Sequence, residues 1–151
     1  MLFDENTPYD FKITCPLFAD DLQMSGGKPR FDNHILTTTP SAEHHTAAME
    51  GVMFYAYNYQ KPGTVPVYRY FSSHLYDNFY TINPASEGLS TYSPEGIAFY
   101  AYPTNNTSSN GEATKAIYRY WSDYHWDHYW TPENTTLKNY LNEGVKFYVP
   151  K

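Results

Sequence analysis

An internal repeat constrains the fold of this chain more than any other feature of its sequence. Three segments share a pattern in which Glu-Gly is followed by an aromatic-rich run: EGVMFYAY (50–57), EGIAFYAY (95–102) and EGVKFYVP (143–150). Their starting positions lie 45 and 48 residues apart. Such self-similarity is typical of a chain built from copies of one supersecondary unit, none of which buries its hydrophobic face alone. We therefore expect a single domain, residues 1–151, with units at about 1–57, 58–102 and 103–151.

A second segment repeats upstream of each Glu-Gly pair. VYRYFSSHLYDNFYT (67–81) and IYRYWSDYHWDHYWT (117–131) match without a gap. A fainter first copy, NHILTTTPSAE (33–43), aligns with DNFYTINPASE (77–87). The opening half of the first unit has diverged, so the resemblance between units is strongest in the second and third.

The composition favours an all-β chain. It holds 17 Tyr, 9 Phe and 3 Trp, residues that suit strands, together with 11 Pro and 8 Gly spread as turn formers. Each unit reads as four short strands, which in the second unit are predicted near 66–71, 76–82, 88–92 and 96–102. The glycine of each Glu-Gly pair is expected to supply a positive φ or a β-bulge.

Three units of four strands give about twelve strands. A propeller uses four or more blades, so three units fit a closed barrel with pseudo-three-fold symmetry better. The fold predicted from this count, and from the resemblance described below, is a β-trefoil.

Charge and cysteine content exclude several classes of protein. The net charge is −6 and no Lys/Arg cluster is present that could follow a phosphate backbone, so nucleic acid is not an expected partner. The single Cys15 excludes an internal disulfide framework. The N-terminal residues lack the pattern of a secretory signal, and no run approaches the roughly 20 apolar residues of a membrane helix. These features predict a cytoplasmic or other intracellular protein without a membrane segment.

The stretch HWDHYWTPEN (125–134) invites a metal-site interpretation that the repeat weakens. His125 aligns with Leu75, and residues three apart on a strand point to opposite faces, so His125 and His128 are not expected to share a zinc ion. Asp77 and Asp127 are repeat equivalents in separate places, which favours turn capping over an acid/base pair. No nucleophile or phosphate-loop motif is present. The sequence predicts neither catalytic residues nor a cofactor or metal.

The aromatic residues carry the functional hypothesis. Their number exceeds what a barrel of this size needs inside, and those in the turn before the second strand of a unit are expected to be exposed. Exposed rings beside Asp, Asn or His suit saccharide stacking, and Tyr and Trp are equally enriched at protein interfaces. The candidate saccharide or partner surface consists of Tyr76, Asp77, Asn78, Tyr124, Trp126, Asp127 and His128.

The repeat resembles that of a lectin-like β-trefoil family, in which Y-R-x-Y, D-H-F-Y-T and E-G-x-A-F-Y follow one another. Asp77 to Thr81, Asp127 to Thr131 and the three Glu-Gly segments carry the match. The chain is also similar in length and pattern to the lectin-like light subunits of mushroom tyrosinase. That resemblance implies a non-catalytic subunit bound to a copper-containing tyrosinase heavy subunit in a two-plus-two assembly. The Q-x-W motif of ricin-type trefoils is absent, so no sugar-binding residue is carried over.

Two further functions stay open. The first is a free carbohydrate-binding lectin of the mannose or another type. The second is a trefoil protease inhibitor that would use an exposed loop at 20–31 or 103–116. The second of these loops is rich in Ser, Asn and Gly, a composition typical of mobile segments and unsuited to a rigid inhibitory loop.

Overall fold

The second and third repeats each fold as a three-stranded antiparallel sheet. The computed structural model describes residues 36, 53–105 and 112–151. Apart from one short 3₁₀ turn, the regular structure in these residues consists of strands, so the all-β prediction is confirmed. No helix in the described part of the chain is long and apolar enough to cross a membrane. The strands are β1 (Val65–Ser72), β2 (Asp77–Thr81), β3 (Ser93–Ala101), β4 (Thr114–Ser122), β5 (Asp127–Thr131) and β6 (Leu141–Pro150).

The two sheets have the same topology and the same register. The first has the order β2-β1-β3 and the second the order β5-β4-β6. Tyr68 lies opposite Thr81 in the first sheet, and Tyr118 lies opposite Thr131 in the second. The gapless sequence match between the two repeats thus corresponds to one hairpin geometry used twice.

The Glu-Gly pairs of the second and third repeats form the predicted bulges, and that of the first repeat lies outside the described residues. The pairing of β1 with β3 shifts register on both sides of Tyr68, and the pairing of β4 with β6 shifts at the equivalent Tyr118. Gly96 has φ 93° and Gly144 has φ 89°. These values lie in a region that side chains disfavour, which explains a glycine at both positions.

The prediction of four strands in each repeat is wrong for the two repeats described. Three of the four strands predicted in the second repeat are present, but residues 88–92 form turns. Gly88 has φ 67°, and the N–H of Tyr92 closes a turn onto the carbonyl of Leu89 at 3.0 Å. A segment bent by these turns cannot extend, so the described repeats do not supply the strands of a twelve-stranded trefoil. The strands predicted for the first unit lie outside the described residues.

The ends of the three repeats nevertheless meet around a common centre. Phe54, Phe99 and Phe147 occupy equivalent positions in the Glu-Gly segments, and each ring contacts the other two edge to face at 5.8–6.2 Å. All three are buried. Burial of each large side chain contributes about 1.5–3 kcal/mol, and edge-to-face contact adds to it. The triangle is the central contact between the repeats.

A second set of equivalent residues packs next to this triangle. Leu36, Tyr80 and Trp130 align in the repeat pattern and are fully buried. The Tyr80 ring lies edge-on to Trp130 at 4.9 Å, and its hydroxyl donates to the Leu36 carbonyl and accepts from the Leu36 N–H, both at 2.8 Å. Two sets of three repeat-equivalent side chains thus belong to one buried core.

Backbone pairing joins successive repeats. Tyr57 pairs with Tyr100, and Tyr102 pairs with Tyr148, in isolated antiparallel bridges. The Tyr102–Tyr148 bridge has two backbone hydrogen bonds of 2.8 Å. The first and second repeats thus each end by pairing with the last strand of the repeat that follows, which ties the three units into one structure.

The connectors between repeats are anchored by a buried polar cluster. Lys61 in the first connector and Glu112 in the second form an ion pair at 3.5 Å. The hydroxyls of Tyr57 and Tyr102 both donate to Glu112, and Lys61 also donates to Tyr57 at 3.2 Å. Burial and the Glu112 hydrogen bond raise the pKa of Tyr57 far above its ordinary value, so this hydroxyl stays protonated. The first connector is therefore anchored at Lys61 and the second at Glu112.

Candidate functional site

The predicted surface residues lie in and beside two equivalent hairpin loops, residues 73–76 and 123–126. Each loop begins after a buried serine whose hydroxyl accepts a loop N–H: Ser72 from Leu75 at 3.1 Å, and Ser122 from His125 at 2.9 Å. Each loop ends with an aromatic residue in the left-handed region. The prediction of turns at these positions is confirmed.

The aromatic residues of the loops differ in accessibility. Tyr124 is 42% exposed, whereas Tyr76 and Trp126 are half-buried. Tyr76 has φ 55° and packs edge-on against Phe71; Trp126 has φ 54° and contacts His74 of the preceding repeat at 6.1 Å. The two loops are therefore neighbours that touch through His74 and Trp126 across a repeat boundary.

The aspartates that follow the loops are fully buried. Asp77 accepts a hydrogen bond from the Tyr92 hydroxyl, and Asp127 accepts the same bond from Tyr140, both at 2.7 Å. Burial, then the charge of Asp77 and the hydrogen bond to it, raise the pKa of Tyr92 well above its ordinary value. The sequence predicts that each aspartate caps its own turn, but the bonds of Asp77 go to Tyr92 and His128, and Ser72 accepts the N–H of the loop before it.

Asp77 also accepts hydrogen bonds across the boundary between the second and third repeats. Its Oδ1 accepts the backbone N–H of His128 at 3.1 Å, and its Oδ2 accepts His128 Nδ1–H at 2.7 Å. The imidazole lies among three aromatic rings. Its centroid is 4.8 Å from that of Phe79, 4.5 Å from that of Trp121 and 5.8 Å from that of Trp130. Both ring position and ring rotation of His128 are thus fixed.

Burial divides the predicted surface into two groups. Asp77, Asn78, Asp127 and His128 have at most 9% of their surface exposed, so their side chains serve the packing of the repeats. The accessible members are the three aromatic residues, Tyr76, Tyr124 and Trp126. The polar side chains of the candidate surface are therefore not accessible to a ligand. Polar contacts to a ligand must come from residues outside this set.

An open groove beside the third-repeat loop provides such side chains. It has a volume of about 310 Å³ and is lined by Trp121, Asp123, Asn139, Tyr140 and Leu141. Asp123 begins the loop, Trp121 is the penultimate residue of β4, and the other three lie at the start of β6 or just before it. Asn139 has φ 69°, a left-handed conformation that asparagine tolerates well.

The groove combines an aromatic wall with two polar groups. Trp121 is half-buried and packs against the His128 imidazole, so the indole is held in place while it lines the groove. Asp123 and Asn139 are exposed, and neither side chain takes part in the hydrogen bonds found among the described residues. Asp123 is the only ionisable group of the lining apart from the Tyr140 phenol, whose hydroxyl donates to Asp127. The groove thus offers an acceptor, an amide and aromatic carbon.

The second repeat has different residues at the positions that line this groove. Where the third repeat has Trp121, Asp123, Asn139 and Leu141, the second has Phe71, Ser73, Thr91 and Ser93. Only the tyrosine is shared, as Tyr92. The carboxylate and the indole therefore belong to the third repeat, and the corresponding part of the first lies outside the described residues.

Sequence reasoning missed Trp121 and Asn139 as candidate site residues. Trp121 lies in a predicted strand, where the repeat assigns it the same place as Phe71, and only the change from Phe to Trp in YRYF and YRYW marked it. Asn139 comes from a segment two residues shorter than its counterpart, so no alignment placed it near the loop. Their proximity depends on the pairing of β4 with β6.

The histidines of the described residues do not converge on one site. His125 stacks on Tyr140 at 5.6 Å within the loop region, whereas His128 is engaged with Asp77. Among the residues that the structure describes, no group of three or more His, Cys, Asp or Glu side chains is arranged to hold a metal ion. His34, His44 and His45 lie outside that part of the chain.

One family model matches the chain. It is described as Domain of unknown function (DUF5648) and matches residues 28–102, from within the first repeat to the end of the second. No curated protein and no solved structure matches the chain. The match ends at Tyr102, where the sequence repeat and the structure both place a unit boundary. The resemblance to lectin-like subunits stays a prediction.

Proposed function

We propose that the chain is a non-catalytic, lectin-like module that binds a neutral saccharide in the groove beside Trp121. The observation that carries this proposal is the combination of a fixed indole with the uncommitted polar groups of Asp123 and Asn139 in one open groove. Sugars present apolar C–H faces that pack on aromatic rings and hydroxyls that bond to carboxylate and amide groups.

The size of the groove suits one or two sugar rings. A volume of about 310 Å³ lies at the small end of ligand pockets, which span roughly 300–1,000 Å³. Because the groove is open, much of a bound sugar stays in water. We therefore expect a dissociation constant on the order of millimolar for a monosaccharide.

The charge of the groove selects against acidic sugars. Its lining holds the Asp123 carboxylate and no Lys, Arg or His side chain, and the whole chain has a net charge of −6. A sialic or uronic acid would bring a second negative charge beside Asp123. The lining also holds one carboxylate where glycoside hydrolysis uses two, which supports binding without catalysis.

The test is binding of a panel of neutral and acidic monosaccharides and disaccharides, measured by ligand-observed NMR and on a glycan array. Asp123→Ala is expected to weaken binding by about tenfold, because it removes a charged acceptor without touching the core. Ser73→Ala, at the equivalent position of the second repeat, is the matched control and should leave binding unchanged. Folded wild-type protein that binds no saccharide above background would overturn the proposal.

A second candidate is an accessory subunit that binds a larger enzyme, the tyrosinase-type heavy subunit that the sequence resemblance implies. The observation that favours a protein partner is a set of exposed apolar side chains, among which Ile97 is 49% and Val145 39% exposed at equivalent positions of their strands. Size-exclusion chromatography of native extract tests this candidate. Elution near 17.5 kDa without a copper protein contradicts it.

A further inference from the structure

We propose that Asp77 and His128 are positioning residues for the groove, through which the second repeat orients the saccharide-stacking indole of the third. This inference rests on the proposed function, since it concerns the same groove. Asp77 is hydrogen-bonded to His128, and the His128 ring contacts the Trp121 ring. Neither Asp77 nor His128 lines the groove itself.

The carboxylate of Asp77 fixes His128 at two points. One oxygen holds the backbone N–H at 3.1 Å and the other holds Nδ1–H at 2.7 Å, so both the backbone and the ring plane of His128 are set by the neighbouring repeat. The Tyr92 hydroxyl in turn holds Oδ2 at 2.7 Å. Because Asp77 is fully buried, these bonds lie away from competing water.

The imidazole supports the indole directly. The His128 and Trp121 rings have centroids 4.5 Å apart and planes inclined by 39°. Phe79 lies edge-on to the imidazole at 4.8 Å, and Trp130 lies 5.8 Å away. A ring held by a carboxylate and by two further aromatic groups is a rigid support. A rigid indole loses little freedom when a sugar stacks on it, which favours binding.

The second repeat lacks the same support. The residue equivalent to His128 is Asn78, whose amide lies 3.4 Å from Glu95, and the residue equivalent to Trp121 is Phe71, which packs on Tyr76. Imidazole, indole and carboxylate therefore occur together in the third repeat, where the groove lies. This coincidence is what a positioning role for His128 predicts.

The decisive variant is His128→Asn. An asparagine amide nitrogen can donate in the place of imidazole Nδ1, so the bond to Asp77 can be kept while the ring under Trp121 is lost. Asp77→Asn is the second variant. It removes a buried charge at the repeat boundary and therefore also lowers stability directly. Asn78→Ala, in the second repeat, is the matched control.

Two readouts are measured well below the melting temperature. The first is the indole N–H signal of Trp121 in an NMR spectrum, assigned with Trp121→Phe, with the signal of Trp126 as internal reference. The second is the dissociation constant for the tightest neutral saccharide of the panel. We expect His128→Asn to broaden the Trp121 signal because the indole gains freedom, to leave the Trp126 linewidth unchanged, and to weaken binding about fivefold to twentyfold.

The outcomes separate the two proposals. A wild-type protein that binds no saccharide overturns the proposed function, and the Trp121 signal in His128→Asn still decides whether the pair positions the indole. A His128→Asn protein with a lower melting temperature but an unchanged Trp121 linewidth and dissociation constant has lost only packing, and that result overturns the positioning role. Equal weakening by Asn78→Ala overturns it as well.

Discussion

Arg119 of the third repeat forms a two-point ion pair with Glu87 of the second. Its Nη1 and Nη2 lie 3.0 and 3.3 Å from the two carboxylate oxygens, and its Nε donates to Glu143 of its own repeat at 2.7 Å. The guanidinium also lies over the Phe79 ring at 4.6 Å. The equivalent Arg69 donates to Glu95 of its own repeat at 2.9 Å. The third repeat is therefore joined to the second by ionic as well as aromatic contacts.

The Glu87 ion pair predicts an acid-dependent loss of stability. Burial alone would raise the pKa of Glu87, but hydrogen bonds from Arg119 and Thr81 outweigh it and lower that pKa below its ordinary 4.5. A carboxyl whose pKa is lower in the folded state stabilises the fold above its unfolded pKa, and this contribution is lost as the pH falls through the folded pKa. Glu87→Gln should lower the free energy of unfolding at neutral pH by about 1–3 kcal/mol.

Urea unfolding of wild type and Glu87→Gln across the acid range measures this effect. The difference between the two proteins should shrink as the pH falls below about 4.5. Glu133→Gln, which changes an exposed carboxylate, is the control and should behave like wild type. A difference that stays constant with pH would show that the ionised carboxylate is not the stabilising group.

The Phe triangle predicts that the repeats unfold together. Phe147 is fully buried and contacts both Phe54 and Phe99, so Phe147→Ala leaves a cavity at the centre of all three repeats. We expect a loss of about 3–5 kcal/mol with a single unfolding transition. Leu141→Ala, at a side chain 66% exposed on the same strand, should change stability by about 0.5 kcal/mol or less. Calorimetry that resolves separate transitions for the repeats contradicts the idea of a shared core.

Features of this fold that depend on local backbone geometry could be predicted from the sequence, whereas features that depend on contacts between distant residues could not. The bulges at Gly96 and Gly144 were predictable because a positive φ is a property of one residue, and it recurs with the repeat. The missing strand at 88–92 was not, because the turn there is combined with a long-range bond in which the Tyr92 hydroxyl reaches Asp77. Burial of the candidate polar residues depends on contacts between repeats, such as that of His128 with Asp77, which no periodicity encodes.

Replacing a bulge glycine should cost conformational free energy without causing a steric clash. A side chain added at Gly96 meets no atom within 4 Å, but its φ of 93° is unfavourable for any residue with a Cβ. Gly96→Ala should therefore destabilise the protein by about 1–2 kcal/mol. Gly88 has equally open surroundings and φ 67°, which asparagine tolerates, so Gly88→Asn is the matched control and should be nearly neutral. Thermal unfolding of both variants measures the difference, and equal melting temperatures contradict the role assigned to the bulge.

The buried hydroxyl of Tyr92 should make the stability of the fold decline at alkaline pH. Burial, together with the charge of Asp77 and the hydrogen bond to it, raises the pKa of Tyr92 above its ordinary 10.0, so the folded state keeps the phenol neutral. A group with a raised folded pKa contributes stability that is complete below its unfolded pKa and declines as the pH rises through the folded one. Tyr92→Phe leaves a fully buried carboxylate with one donor fewer, and should cost about 1–3 kcal/mol at neutral pH. Above about pH 10 wild type should lose stability faster than the variant.

Tyr55→Phe, at a tyrosine 36% exposed, is the control, and urea titrations at neutral and alkaline pH make the comparison. If Tyr92→Phe is as stable as wild type at neutral pH, the hydrogen bond to Asp77 does not stabilise the repeat.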